Sequence, residues 1–64
     1  MTVNGRRYEH RAGLTLHKLL DELEVDRRLV VVMHGDEIYR AGRIPDAALS
    51  EPDVVEIVSM AQGG

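Results

Sequence analysis

Leu16, Leu19, Leu20 and Leu23 recur at i, i+3, i+4 and i+7, the spacing that lines one face of an α-helix. Thr15 stands just before them as an N-cap, its hydroxyl free to accept a backbone N–H. The reciprocal Glu or Gln three residues on is replaced by Lys18, so the full capping box is not made. The pattern predicts one helix of about 9–10 residues, with His17, Lys18, Asp21 and Glu22 on its outer side. A single helix with one apolar stripe must bury that stripe against another layer. In a chain of 64 residues the other apolar runs have strand character, which leaves a sheet as the second layer.

The strands follow from turn chemistry and alternation. Met1-Thr2-Val3 runs into Asn4-Gly5, a pair that tolerates positive φ and so forms a type I′ hairpin. Arg6 to His10 is the returning strand, with Val3 facing Arg6 and Met1 beside Tyr8; Ala12-Gly13 ends it. Leu29 to Met33 is a β-branched run. Being apolar throughout, it does not reveal which parity faces inward. His34-Gly35-Asp36-Glu37 is a turn, and Ile38-Tyr39-Arg40 a short return. Pro45 and Pro52 punctuate the next stretch, with a single helical turn expected over Ile44 to Leu49. Asp53 to Ser59 is the last strand: Val55 and Ile57 share one face, while Val54, Glu56 and Val58 share the other, and Met60 continues the outward parity. The order β-β-α-β-β-turn-β gives an α+β fold of the β-grasp type. It is a mixed sheet of four to five strands packed on one helix, with the first and last strands parallel at its centre. Residues 1–64 form a single domain, and 61–64 are expected as a flexible C-terminal tail.

Composition removes several function classes. There is no cysteine, hence no disulfide and no Cys-ligated zinc. The spacing of His10, His17 and His34 fits no metal-ligand motif. A net charge of −3 and only two aromatic residues, Tyr8 and Tyr39, argue against nucleic-acid binding. No apolar run approaches the roughly 20 residues of a membrane span, and no signal peptide is visible. A cytoplasmic protein with no membrane contact, monomeric when free, is expected. No nucleophile–base set, phosphate loop or carboxylate pair is present, so no catalytic residue is assigned. Arg27-Arg28 reads as a solvated loop.

The final strand runs directly into Met60-Ala61-Gln62-Gly63-Gly64. With "VNG" at 3–5, "GLTLHKLLDEL" at 13–23, "VVVMHGDEIYR" at 30–40 and "DVVEIVSMAQGG" at 53–64, the chain resembles the ubiquitin-like sulfur carrier proteins of the ThiS/MoaD superfamily. It is most similar to the thiamine-biosynthesis carriers of the ThiS type. Two departures stand out. His34-Gly35 occupies a turn where the family often has Asn-Gly, and is tolerable because His enters left-handed space. Glu51-Pro52-Asp53 stands where it often has Asp-Gly-Asp, which asks for a different local backbone.

The resemblance implies that the chain is not an enzyme but the substrate of partner enzymes. A ThiF-type adenylyltransferase, using ATP and Mg²⁺, converts the carboxylate of Gly64 to an acyl-adenylate. Sulfur from a cysteine desulfurase or a persulfide replaces AMP, and the thiocarboxylate serves a thiazole synthase. The carrier itself binds no cofactor. Gly63 and Gly64 have no Cβ and pass a tunnel that side chains would block. Ala61 and Gln62 are slim or flexible, and four extended residues reach about 13 Å. Val54, Glu56, Val58 and Met60 are candidates for the partner interface, and Asp36, Glu37, Glu51, Asp53 and Glu56 for steering toward a basic partner. The small subunit of molybdopterin synthase, a protein modifier, a tRNA-thiolation carrier and a plain β-grasp binding module remain open as alternatives.

Overall fold

The computed structural model describes residues 1–59. It comprises β1 (Thr2–Val3), β2 (Arg6–Arg7), α1 (Leu16–Glu22), β3 (Val30–His34), β4 (Glu37–Tyr39) and β5 (Val54–Ser59). The five strands form one mixed sheet in the order β2-β1-β5-β3-β4. β1 and β5 are parallel neighbours, and every other pair is antiparallel. This is the β-grasp arrangement, with β5 at the centre.

The first hairpin forms as its Asn-Gly pair requires. Asn4 and Gly5 take φ of 52° and 80°, both central residues left-handed as in a type I′ turn. Val3 pairs with Arg6. The Tyr8 N–H donates to the Met1 carbonyl at 2.9 Å, and the Met1 amino group to the Tyr8 carbonyl at 3.2 Å. The returning strand is shorter than Arg6 to His10, because the chain leaves the sheet after Tyr8. The Tyr8 hydroxyl and the Arg11 guanidinium instead donate to Glu22 at the end of α1. Those two donors, Arg11 first, hold the Glu22 carboxyl below its ordinary range.

The helix is seven residues long, not 9–10, and its end explains the difference. Glu24 takes the left-handed conformation at φ 59°. The Glu24 N–H donates to the Asp21 carbonyl and the Val25 N–H to the Leu20 carbonyl, which is a Schellman motif. Leu23 becomes the C-cap and is about a third exposed, whereas Leu16, Leu19 and Leu20 are sealed. The core therefore joins three helix leucines to Val3, Val30, Val32 and Val55 of the sheet, with Leu14, Ile44 and Leu49 closing the rim. Val30 and Val32 are the inward parity of β3.

No helical turn forms over 44–49. A residue preceding proline avoids the α region, and here Ile44 precedes Pro45. The segment is irregular, with one isolated bridge between Ala48 and Thr15, and completes the start of α1 instead. The Leu16 N–H donates to the Ala47 carbonyl (2.9 Å), the His17 N–H to Asp46 Oδ1 (3.1 Å) and the Lys18 N–H to Thr15 Oγ1 (3.3 Å). Three N–H groups that a helix start leaves without intrahelical partners are thereby satisfied. Leu49 N–H to Leu14 carbonyl (3.0 Å) ties the same segment to the helix entrance. Among the described residues no helix is long and apolar enough to cross a membrane.

Candidate functional site

β5 is described as far as Ser59, and residues 60–64 follow it in the sequence. Two strands hold β5 along its length. β1 pairs with Val54 and Val55, and β3 pairs from Val55 through Ser59. β1 stops at Val3, which would leave the next inward-facing N–H of β5 without a ladder partner. Asn4 supplies it: its backbone N–H donates to the Val55 carbonyl (2.9 Å), and its Oδ1 accepts from the Ile57 N–H (2.6 Å). One residue thus makes the hairpin turn and continues the ladder.

The register defines the face turned away from α1. Thr2 lies beside Val54, Met33 between Glu56 and Ile38, and Val31 beside Val58. Val54 and Val58 are each about half exposed, and Ile38 is 66% exposed. The interface candidates Val54, Glu56 and Val58 therefore do share one open surface. Met60, and the proposed tail residues Ala61, Gln62, Gly63 and Gly64, lie outside the described residues.

Sequence reasoning missed Ile38, Val31 and Met33 as members of this surface. The signal was available. Gly35 takes φ 62° while Asp36 does not share that sign, so a two-residue Gly-Asp loop of the type II′ pattern joins β3 to β4 and sets Met33 opposite Ile38. This also corrects the reading of His34. His34 is the last residue of β3 and needs no left-handed backbone, because Gly35 carries the positive φ.

The acidic set does not act as one patch. Asp53 is engaged internally: its Oδ2 accepts from the Ser50 N–H (2.8 Å) and contacts the His34 ring Nε2 (2.8 Å). Burial opposes its charge, but these two partners outweigh that cost and hold the carboxyl below its ordinary value. The Asp53 N–H donates to the Ser50 carbonyl (3.1 Å), closing a turn around Glu51-Pro52 that needs no glycine. Asp36 and Glu37 lie at the β3–β4 turn, at the end opposite Ser59, leaving only Glu56 on the open face beside Met33.

The histidines are dispersed. His10 and His17 contact the carbonyls of Leu49 and Ile44 through Nε2, and His34 contacts Asp53. Among the described residues no three metal-ligating side chains come together.

A model described as the ThiS family matches residues 1–64. The sulfur carrier protein ThiS of Thermus thermophilus is 38% identical over 52 residues, 81% of this chain and 81% of that protein. A protein of Paramagnetospirillum magneticum named thiazole synthase is 34% identical over 64 residues, which is all of this chain but 20% of that protein.

Proposed function

The chain belongs to the ThiS family, and from that premise we propose that it is a sulfur carrier of thiamine (thiazole) biosynthesis whose working group is the carboxylate of Gly64. The observation that carries this reading is a family match over the whole chain, including the run from the central strand into Gln62-Gly63-Gly64. The relative named thiazole synthase supports the same pathway, since a sequence like this entire chain makes up one fifth of it.

A carboxylate resists nucleophilic attack, so it must first be activated. A ThiF-type adenylyltransferase joins the Gly64 carboxylate to the α-phosphorus of ATP and releases pyrophosphate. Hydrosulfide then adds at the acyl carbon, a C–S bond forms, the C–O bond to AMP breaks, and a thiocarboxylate remains. When the donor is a persulfide, a thiol reductant supplies the two electrons that free the sulfur. The thiocarboxylate passes its sulfur to the thiazole synthase. Each chemical step belongs to a partner enzyme. The carrier contributes a slim terminus, an inert body with no thiol, and a surface for docking. Val54, Glu56 and Val58, joined by Val31, Met33 and Ile38, are the candidates for that surface, which runs along β5 from its start at Val54 to Val58 near its end.

Intact mass spectrometry tests the proposal. Incubated with the adenylyltransferase, ATP–Mg²⁺ and sulfide, the chain is expected to gain the mass difference of one sulfur for one oxygen. Deletion of Gly64 is expected to abolish the gain and leave the circular dichroism spectrum unchanged. Higher-mass conjugates in place of the sulfur increment would identify a protein modifier instead.

A further inference from the structure

Charge is unevenly placed about β5: Arg6 and Arg7 of β2 stand near its start, where carboxylates are also found, and a second set of arginines stands near its end. Val54 starts the strand beside the β3–β4 turn, where Asp36 and Glu37 stand, and Glu51 and Asp53 immediately precede it. Ser59 ends it beside Val30. At that end β4 passes into Arg40, and the 40–43 loop meets the 26–29 loop through the Gly42 N–H, which donates to the Arg27 carbonyl (3.0 Å). Arg28 is neutralised by Asp26 at 3.0 Å. Arg27, Arg40 and Arg43 are exposed and make no ion pair among the described residues. Arg40 and Arg43 line one open groove with Val31, Ile38 and Ala41. A chain of net charge −3 thus carries unpaired guanidinium groups at the end from which residues 60–64 continue.

We propose that Arg40 and Arg43, supported by Arg27, form a basic collar that docks on an apolar patch rimmed by carboxylates on the enzyme that activates Gly64. This rests on the carrier reading above. Guanidinium groups favour carboxylate partners because their planar fork matches a carboxylate with two parallel hydrogen bonds. The apolar wall of Val31 and Ile38 beside them calls for an apolar contact within the acidic rim. The position of these arginines also gives the encounter a direction. An acidic mouth attracts the end of β5 that they flank, so the carrier arrives with its terminus leading. Steering by a generally acidic surface toward a basic partner, the expectation from composition, would favour the opposite end.

The test is the concentration dependence of thiocarboxylate formation, followed by intact mass with the full chain and its adenylyltransferase. The Arg40→Glu/Arg43→Glu variant is expected to raise KM by about tenfold or more at low salt with kcat changed by less than about twofold. The wild-type KM is expected to rise with salt more steeply than that of the variant. Arg40→Lys/Arg43→Lys is expected to recover most of the loss, and Asp36→Lys/Glu37→Lys to leave KM within about twofold. Both pairs are exposed, and an unchanged melting temperature confirms that folding is intact. A reversal variant loaded at the wild-type KM, or equal losses from reversing either end, overturns the collar while leaving the carrier function standing. A wild-type chain that takes up no sulfur overturns the carrier function and the collar with it.

Discussion

On β3, Val30 and Val32 face one way and Val31 and Met33 the other, with nearly identical chemistry one residue apart. The first pair is sealed under Leu16, Leu19 and Leu20. The second pair lies on a surface with half-exposed Val54 and Val58 and the more exposed Ile38. The difference lies in what covers each face. One helix covers one side of a sheet, and a chain of this length has no second helix among its described residues. Each fully buried aliphatic side chain contributes about 1.5–3 kcal/mol, so the inner face accounts for the fold. The outer face contributes little to folding and leaves its aliphatic side chains available for the docking proposed above.

The comparison is sharpest for matched truncations. Leu20→Ala is expected to cost about 2–5 kcal/mol, most of what a domain this small has to lose. Val58→Ala on the outer face is expected to stay within about 0.5 kcal/mol. Chemical denaturation of the two variants reads the difference directly, and equal losses would erase the distinction between the faces. Next in size is Asn4→Ala, which removes the acceptor of the Ile57 N–H and puts a Cβ residue without a polar side chain at positive φ; about 2 kcal/mol is expected. Asn4→Asp keeps both the acceptor and the left-handed tolerance, and is expected to lose less than half of that.

Comparing the wild type with Asp53→Asn across a pH titration isolates the contacts of one carboxylate just before β5. The Asp53 carboxyl is held below its ordinary value when folded, so on acidification the unfolded chain takes up its proton first. Its contribution is present in full above about pH 3.9 and is lost as the pH falls from there through the lower folded value. Stability measured by urea denaturation through that range is expected to fall more steeply for the wild type than for Asp53→Asn. A modest effect of opposite sign belongs to Glu24, on neither face. Left-handed geometry costs a Cβ residue about 1–2 kcal/mol, and glycine gives back about 0.4–1 through unfolded-chain entropy. Glu24→Gly is therefore expected to stabilise by about 0.5–1 kcal/mol, read as a rise in melting temperature. A fall would mean that the Glu24 side chain makes a contribution its exposure does not suggest.

Features set by adjacent residues were legible in the sequence. Asn4-Gly5 fixed its hairpin, Thr15 its cap, and the alternation of β5 its two faces, because each depends on backbone preferences within a few positions. Features set by distant contacts were not. The helix stops early because Glu24 turns left-handed at its end, and no composition rule favours Glu there. Ile44 to Leu49 stays out of a helical turn and supplies the acceptors that Leu16 and His17 need. The parity of Val30 to Met33 required knowing which strands flank it. The placement of Gly64 as a sulfur-bearing group came from likeness to a family, since two glycines carry no chemistry of their own. The separation of Arg40 from Asp36 was hidden for another reason: they are four residues apart in sequence, and only the β3–β4 register sends them to opposite ends.

The central place of β5 has a mechanical consequence. Tension applied at Ser59 along the strand axis acts at right angles to the hydrogen bonds that join β5 to β1 and β3. Loaded in that direction the bonds share the force in shear, whereas a strand pulled sideways from a sheet edge surrenders them one by one. The Asn4 side chain adds one more attachment on the side where β1 has already ended. A tug on the terminus is borne by the whole domain together, so the body can resist being drawn after its own tip.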